Sequence, residues 1–277
     1  MQVSERDRRR VLTLSTVAFT ALFAVWLMLG VLSVPIRAEL GLSEVQVGWL
    51  AAIAVLNGAL FRLAFGIWTD RIGGRLMMTA LLLATAVPCA LVSRADSYGE
   101  LMLAAALYGF AGNGFSVGVA WCSAWFPPER QGFALGIFGA GNVGASVTKV
   151  AGPTLIALVS APLLGGLVPA GWRAIPVLYA AMLVVLAAAT WLLSPSQDLR
   201  PGKGRSLAST LGPLREIRVW RFSLYYVVVF GAYVALSVWL PKYYVDVYGL
   251  SLRSAALLAA LFIFPASLLR PLGGYLS

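Results

Sequence analysis

Eight stretches of the chain are long and apolar enough to cross the ~30 Å hydrocarbon core of a bilayer, and this recurrence constrains the fold more than any other feature. They run at about 11–36, 45–69, 76–93, 98–126, 132–160, 173–194, 220–245 and 254–277. A chain that is 60% hydrophobic and 12% charged, with mean hydropathy +0.85, has too little polar material to cover a soluble globule. The expected fold class is an all-α polytopic membrane protein. The first run follows MQVSERDRRR and is too long for a secretory signal peptide, so it reads as the first membrane helix.

Several function classes fall away on composition. There is no histidine, and the two cysteines, Cys89 and Cys122, lie far apart in apolar runs. That spacing suits neither a metal site nor a disulfide, and no cofactor is expected. A membrane enzyme would need a nucleophile, a base or a metal cluster, and none is legible. The net charge of +10 does not point to nucleic acid, because the basic residues are dispersed between the apolar runs. They act instead as topology signals. With the N-terminus cytoplasmic, thirteen of the 21 basic residues fall on cytoplasmic segments and five on outer loops, the positive-inside pattern of a cytoplasmic-membrane protein. Trp239, Tyr243, Tyr244 and Tyr248 then mark the outer interface and Trp220 the inner one.

The remaining three basic residues, Arg62, Lys149 and Arg270, lie inside apolar runs. Arg62 precedes Asp70 by eight residues, which at ~1.5 Å per residue places it about 12 Å inside the helix end, near the midplane. An arginine there costs about 2.5–3.5 kcal/mol on insertion scales and is expected to face a protein interior or a wet cavity. Arg270 repeats the pattern 208 residues later: Gly274 and Ser277 follow it as Gly66 and Thr69 follow Arg62. The longest polar stretch, Ser194 to Arg218, separates six runs from the last two. Two parallel six-helix repeats are therefore expected, with residues 1–193 as the first, 194–218 as a cytoplasmic connection and 219–277 as the start of the second.

The segment Gly66-Ile67-Trp68-Thr69-Asp70-Arg71-Ile72-Gly73-Gly74-Arg75 resembles the loop between helices two and three of the major facilitator superfamily. Its physical sense is a tight glycine turn that presents Asp70, flanked by Arg71 and Arg75, where two halves meet. A charged loop obeying the positive-inside rule is the plainer alternative. The resemblance implies the major facilitator fold, with the first six-helix half complete plus helices seven and eight. A complete member has about twelve helices and is a monomer in the bilayer, so the chain reads as a C-terminally truncated member.

The segment Gly136-Ile137-Phe138-Gly139-Ala140-Gly141-Asn142-Val143-Gly144-Ala145-Ser146 resembles the glycine-rich signature of the nitrate/nitrite porters, the NarK-like family. It also contains G-x-G-x-x-G, but no acid follows about 20 residues on, the next being Asp198, so a dinucleotide site is rejected. The resemblance implies that Arg62 and Arg270 grip the anion and that Phe115 and Tyr226 sandwich it, with Tyr225 a close competitor. Gly139, Gly141, Gly144 and Asn142 would line the path, Asn142 offering a donor. A plainer alternative is that the glycines only let helices pack closely. The stretch between Gly136 and Asn142 is one residue shorter than in members with a longer signature.

Arginine suits this task because its planar paired donors match a planar anion with delocalised oxygens. Two opposed arginines favour a small monoanion, so the implied function is transport of nitrate or nitrite, as in nitrate assimilation. The competing reading is a facilitator for another small or organic anion. Lys149 is the third deep charge, read either as packed against a carbonyl or snorkelling, or as a coupling group on the anion path. Exchange of nitrate for nitrite needs no proton carrier. Proton symport would use Lys149, water with the anion, or further groups, and the GIFGAGNVGASVTK stretch is more similar to the symporting branch.

Overall fold

A computed structural model of the chain describes residues 4–276; Ser277, counted in the repeat above, lies outside the described residues. Those residues form eight helical rods, five of them broken part-way. The first rod is α1 (Glu5–Trp26) and α2 (Leu29–Leu40), the second α3 (Glu44–Leu60) and α4 (Arg62–Ile72), and the third α5 (Gly74–Val92). The fourth joins α6 (Tyr98–Tyr108) to α7 (Gly114–Trp125) through a 3-10 turn at Gly109–Asn113. The fifth joins α8 (Pro128–Gly139) to α9 (Gly144–Leu158) through a 3-10 turn at Ala140–Val143. Then come α10 (Ala174–Leu193), the short α11 (Leu207–Leu211), the long α12 (Ile217–Tyr248), and the last rod, α13 (Leu252–Leu268) with α14 (Arg270–Leu276).

Local chemistry sets the rod starts. Ser4 caps α1 by accepting from Asp7 N at 3.1 Å, and Ser43 with Gln46 and Ser97 with Glu100 form capping boxes at α3 and α6. Gly41 (φ 62°) and Gly249 (φ 64°) end α2 and α12 in the left-handed conformation.

Six of the rods are long and apolar enough to cross a membrane, and a seventh if α3 and α4, bent by 42°, count as one span. The α8–α9 rod is not among them. The eight expected helices are all present as rods, six or seven of which meet the length and hydropathy of a span by themselves. The fifth rod is helical, but its glycines carry little apolar surface. Of the five basic residues counted on outer loops, Arg37, Arg94, Arg173, Lys242 and Arg253, Lys242 is buried within α12 and Arg37 lies within α2.

The core is built on α1, whose Phe19, Phe23 and Trp26 are almost fully buried beside Met78, Tyr108, Trp121 and Phe138. The helix α12 joins it through Phe230, Tyr233, Val234 and Val238, from its middle onward. It closes on α2 so tightly that a Cβ at Gly30 would lie 2.9 Å from the Ser237 carbonyl oxygen. At that end Glu44 pairs with Arg37 at 2.5 Å and with Lys242 at 2.6 Å, and Lys242 also pairs with Asp246.

Candidate functional site

The two midplane arginines occupy equivalent backbone positions. Arg62 opens α4 directly after Phe61 (φ −90°, ψ 3°), and Arg270 opens α14 directly after Leu269 (φ −78°, ψ −8°). The register match in the sequence therefore extends to the helix breaks, which membrane proteins tolerate where backbone is buried in protein or lines a cavity. Arg62 Nε donates to the Gly58 carbonyl at 3.1 Å, and its guanidinium carbon lies 5.7 Å from the Trp26 ring, 5.5 Å from Phe115 and 5.2 Å from Phe230. The Arg270 guanidinium lies 5.7 Å from the same Phe230 ring. Both charges act on the Tyr226 phenol. Among the described residues no carboxylate lies within ion-pair distance of either. Two cations thus share an aromatic surface, each such contact contributing about 0.5–2 kcal/mol, and no anion among the described residues neutralises them.

Asn142, fully buried in the break of the fifth rod, meets Arg270. With its amide oriented by the hydrogen-bond network, its side-chain oxygen accepts from Arg270 Nη1 at 3.0 Å and Nη2 at 2.7 Å. The oxygen thus serves Arg270, and the NH2 is left as the group for the expected donor role. A guanidinium has only donors, so the amide must turn its oxygen toward it.

The glycine-rich signature divides by face. A Cβ at Gly139 would lie 3.2 Å from Arg270 Cδ, and one at Gly136 only 2.7 Å from the Arg270 carbonyl oxygen. These glycines let α14 cross α8 backbone to backbone. Gly141 and Gly144 meet α1 instead, with Cβ positions 2.7 Å from Phe19 and 2.0 Å from the Thr20 carbonyl oxygen. Their expected place on the anion path is corrected to a packing role. A 3-10 turn has three residues per turn, so Gly141 and Gly144 share a face that Asn142 does not.

Phe115 and Tyr226 do come together, with centroids 6.0 Å apart and planes inclined by 26°. A planar ion between them would need about 7 Å, two contacts of ~3.5 Å, so the rings here pack on each other rather than around a gap. Tyr226 continues into a stack with Phe230 (4.9 Å, 17°), and Phe230 with Tyr233 (5.8 Å, 15°). Tyr225, the competitor, is 57% exposed and meets Phe222 edge-on. Phe230, Tyr233 and Trp26 escaped the sequence reading, although Tyr226, Phe230 and Tyr233 stand at i, i+4 and i+7 on one helix face. A cavity of about 910 Å³ opens between α3 and α12, bordered by Trp26, Arg62, Tyr226 and Phe230.

Lys149 is fully buried and donates to the Ala145 carbonyl of its own helix at 3.4 Å, so it does not snorkel to an interface. No hydrogen bond or ion pair joins it to the arginines among the described residues.

The loop motif clasps the connection that follows α10. Gly73 (φ 108°) makes a turn that side chains disfavour, and beyond it Arg75 N donates to Asp198 Oδ2 at 2.7 Å. Trp121 and Trp125 Nε1 both donate to Asp198 Oδ1 at 3.1 Å. Arg75 donates to the Trp191 and Ser196 carbonyls and stacks 4.2 Å from the Trp191 ring, while Arg71 donates to the Arg205 carbonyl. The Asp70 carbonyl accepts from Gly202 N at 3.0 Å. Of the motif's glycines, Gly66 alone has nothing within 4 Å of its added Cβ. In the sequence Asp198 stands out only as the next acid after the glycine-rich segment; its role depends on indoles 73 and 77 residues away and is not legible there.

The family model of the Major Facilitator Superfamily matches residues 14–277. The chain is 68% identical over 272 residues to a protein of Thermus thermophilus named "Probable nitrate/nitrite antiporter NarK1", covering 98% of this chain and 61% of that one. It is 32% identical to the "Nitrite extrusion protein" of Bacillus subtilis (strain 168), covering 96% and 64%. It is 33% identical to the "Probable nitrate/nitrite transporter NarK2" of Mycobacterium tuberculosis (strain H37Rv), covering 98% and 67%. The chain thus spans about six-tenths of the length of the first two relatives. Among solved structures it superposes on a bacterial homolog of the human lysosomal transporter Spinster, inward-facing and occupied, with TM-score 0.76 at 22% identity, covering 99% of this chain and 62% of that one. That likeness concerns the fold.

Proposed function

The chain belongs to the Major Facilitator Superfamily, and on that premise we propose that it serves a secondary transporter moving nitrate, nitrite or both across the cytoplasmic membrane by alternating access. The observation that carries this is the pair Arg62 and Arg270, set at matching helix breaks against one Phe230 ring with no carboxylate beside them among the described residues. Two like charges held this close favour a shared monoanion, whose binding relieves their repulsion and draws the flanking rods together. The printed names of the relatives support the same substrate class. In this reading residues 1–193 are the first six-helix half, 194–218 the connection and 219–277 the start of the second, with the N-terminus cytoplasmic and the complete transporter monomeric. We infer a transporter rather than an enzyme because the sequence places no histidine or acid beside the arginines.

Counterflow in liposomes with nitrate, nitrite and small organic acids tests the substrate class. Saturable exchange of nitrate and nitrite is expected, and selective exchange of organic acids would move the assignment to another anion. Coupling is a separate matter. Proton symport would use Lys149, the buried amine of the fifth rod, water with the anion, or further groups, whereas nitrate/nitrite exchange needs no such group. Uptake into nitrite-free liposomes under an inward proton gradient supports symport; uptake that ignores the gradient and requires internal nitrite assigns exchange.

A further inference from the structure

Tyr233 lies outside the arginine pair, yet its hydroxyl touches both elements that fix Arg270. It is 3.0 Å from Ser267 Oγ, one turn before Arg270, and 3.4 Å from the main-chain oxygen of Asn142, whose side chain holds the Arg270 fork. All three groups are buried. We propose that Tyr233 is a positioning residue for anion binding, setting Asn142 and Arg270 through its hydroxyl. This inference rests on the nitrate reading above.

Counting hydrogens shows how the contact works. Ser267 Oγ also reaches the Ile263 carbonyl at 2.8 Å, so two hydroxyl hydrogens serve three contacts. In one arrangement Ser267 donates to Tyr233 and Tyr233 donates to Asn142 O, tying α12 and α13 to the break of the fifth rod. In a second, Ser267 donates to Ile263 and Tyr233 donates to Ser267, closing the network within α12 and α13; in a third, Ser267 donates to Ile263 and Tyr233 to Asn142 O, which keeps the tie to the fifth rod. Buried hydroxyls left unpaired are costly, and this pair is never left so. Asn142 can therefore be held while the anion binds and released when the rods separate. The Tyr233 ring has an independent packing role against Phe230 and Phe262, which a phenylalanine would preserve.

The test is nitrate binding and uptake by the purified, reconstituted protein. Tyr233→Phe is expected to raise the nitrate KM roughly 3- to 10-fold with kcat within about twofold, the worth of one hydrogen bond. Combined with Asn142→Ala it should add no further loss, because both act on one arm, whereas its effect should multiply with that of Arg62→Lys. Ser267→Ala removes the competing acceptor, so the Tyr233 hydrogen stays on Asn142 and affinity should equal or exceed that of the unmutated protein. Wild-type KM in Tyr233→Phe, or losses that multiply with Asn142→Ala, would overturn the inference. If Tyr233→Phe fails to fold, a large loss of affinity in Ser267→Ala overturns it alone. Absence of nitrate binding in the unmutated protein would instead overturn the functional reading.

Discussion

Arg62 and Arg270 share one aromatic neighbour, their guanidinium carbons 5.2 and 5.7 Å from the Phe230 centroid. The electron-rich surface of the ring offsets part of the repulsion between two cations brought to the same neighbourhood.

Replacing either arginine by lysine keeps the charge and removes the planar fork. Arg62→Lys loses the three-ring contact, and Arg270→Lys loses the paired donors on Asn142. Each is expected to weaken nitrate binding by about tenfold or more, the magnitude of a charge-assisted hydrogen bond. Equilibrium binding of nitrate to the purified variants checks this. Unchanged affinity in both would remove the basis of the site.

Asn142→Asp places a carboxylate where an amide oxygen now accepts from Arg270 Nη1 and Nη2. The buried pair would neutralise the arginine, so nitrate affinity should fall further than in Asn142→Ala, by about tenfold or more between the two variants. An aspartate variant that binds nitrate better than the alanine variant would contradict the assigned contact.

The glycines should separate by position. Gly136→Ala puts a methyl 2.7 Å from the Arg270 carbonyl and 2.9 Å from Pro271 Cα, and is expected to destabilise by about 1–3 kcal/mol. Gly66→Ala meets nothing within 4 Å and lies inside α4, so it should be neutral or stabilising by about 0.5–1 kcal/mol. Thermal unfolding in detergent measures both, and an equal loss for the two would refute the close crossing of α8 and α14.

Asp198→Asn should loosen the clasp of the loop motif. The carboxylate accepts from two indoles and two main-chain N–H groups, and an amide would turn its own donors toward some of them. A loss of about 1–3 kcal/mol is expected, with a change in tryptophan emission because Trp121 and Trp125 lose a shared acceptor. Unaltered emission and unfolding temperature would count against this contact.

What the sequence determined by itself was whatever depends on composition and local periodicity. Apolar length placed helices in a bilayer, Ser4, Ser43 and Ser97 marked helix starts, and the spacing of Arg62 and Arg270 foretold a pair of matched cations. The tertiary structure alone decided which groups those cations meet. Helix breaks at Phe61, at Ala140–Val143 and at Leu269 have no strong local signal, yet they turn Arg62, Asn142 and Arg270 toward one another. Likewise the face on which Gly141 and Gly144 fall, the direction of the Asn142 amide, and the convergence of Phe115 with Phe230 depend on crossings between rods distant in the chain. Periodicity describes one helix at a time. Contacts between helices arise from packing, where a shift of one residue around a turn exchanges a buried partner for another, and that information is held by the whole bundle.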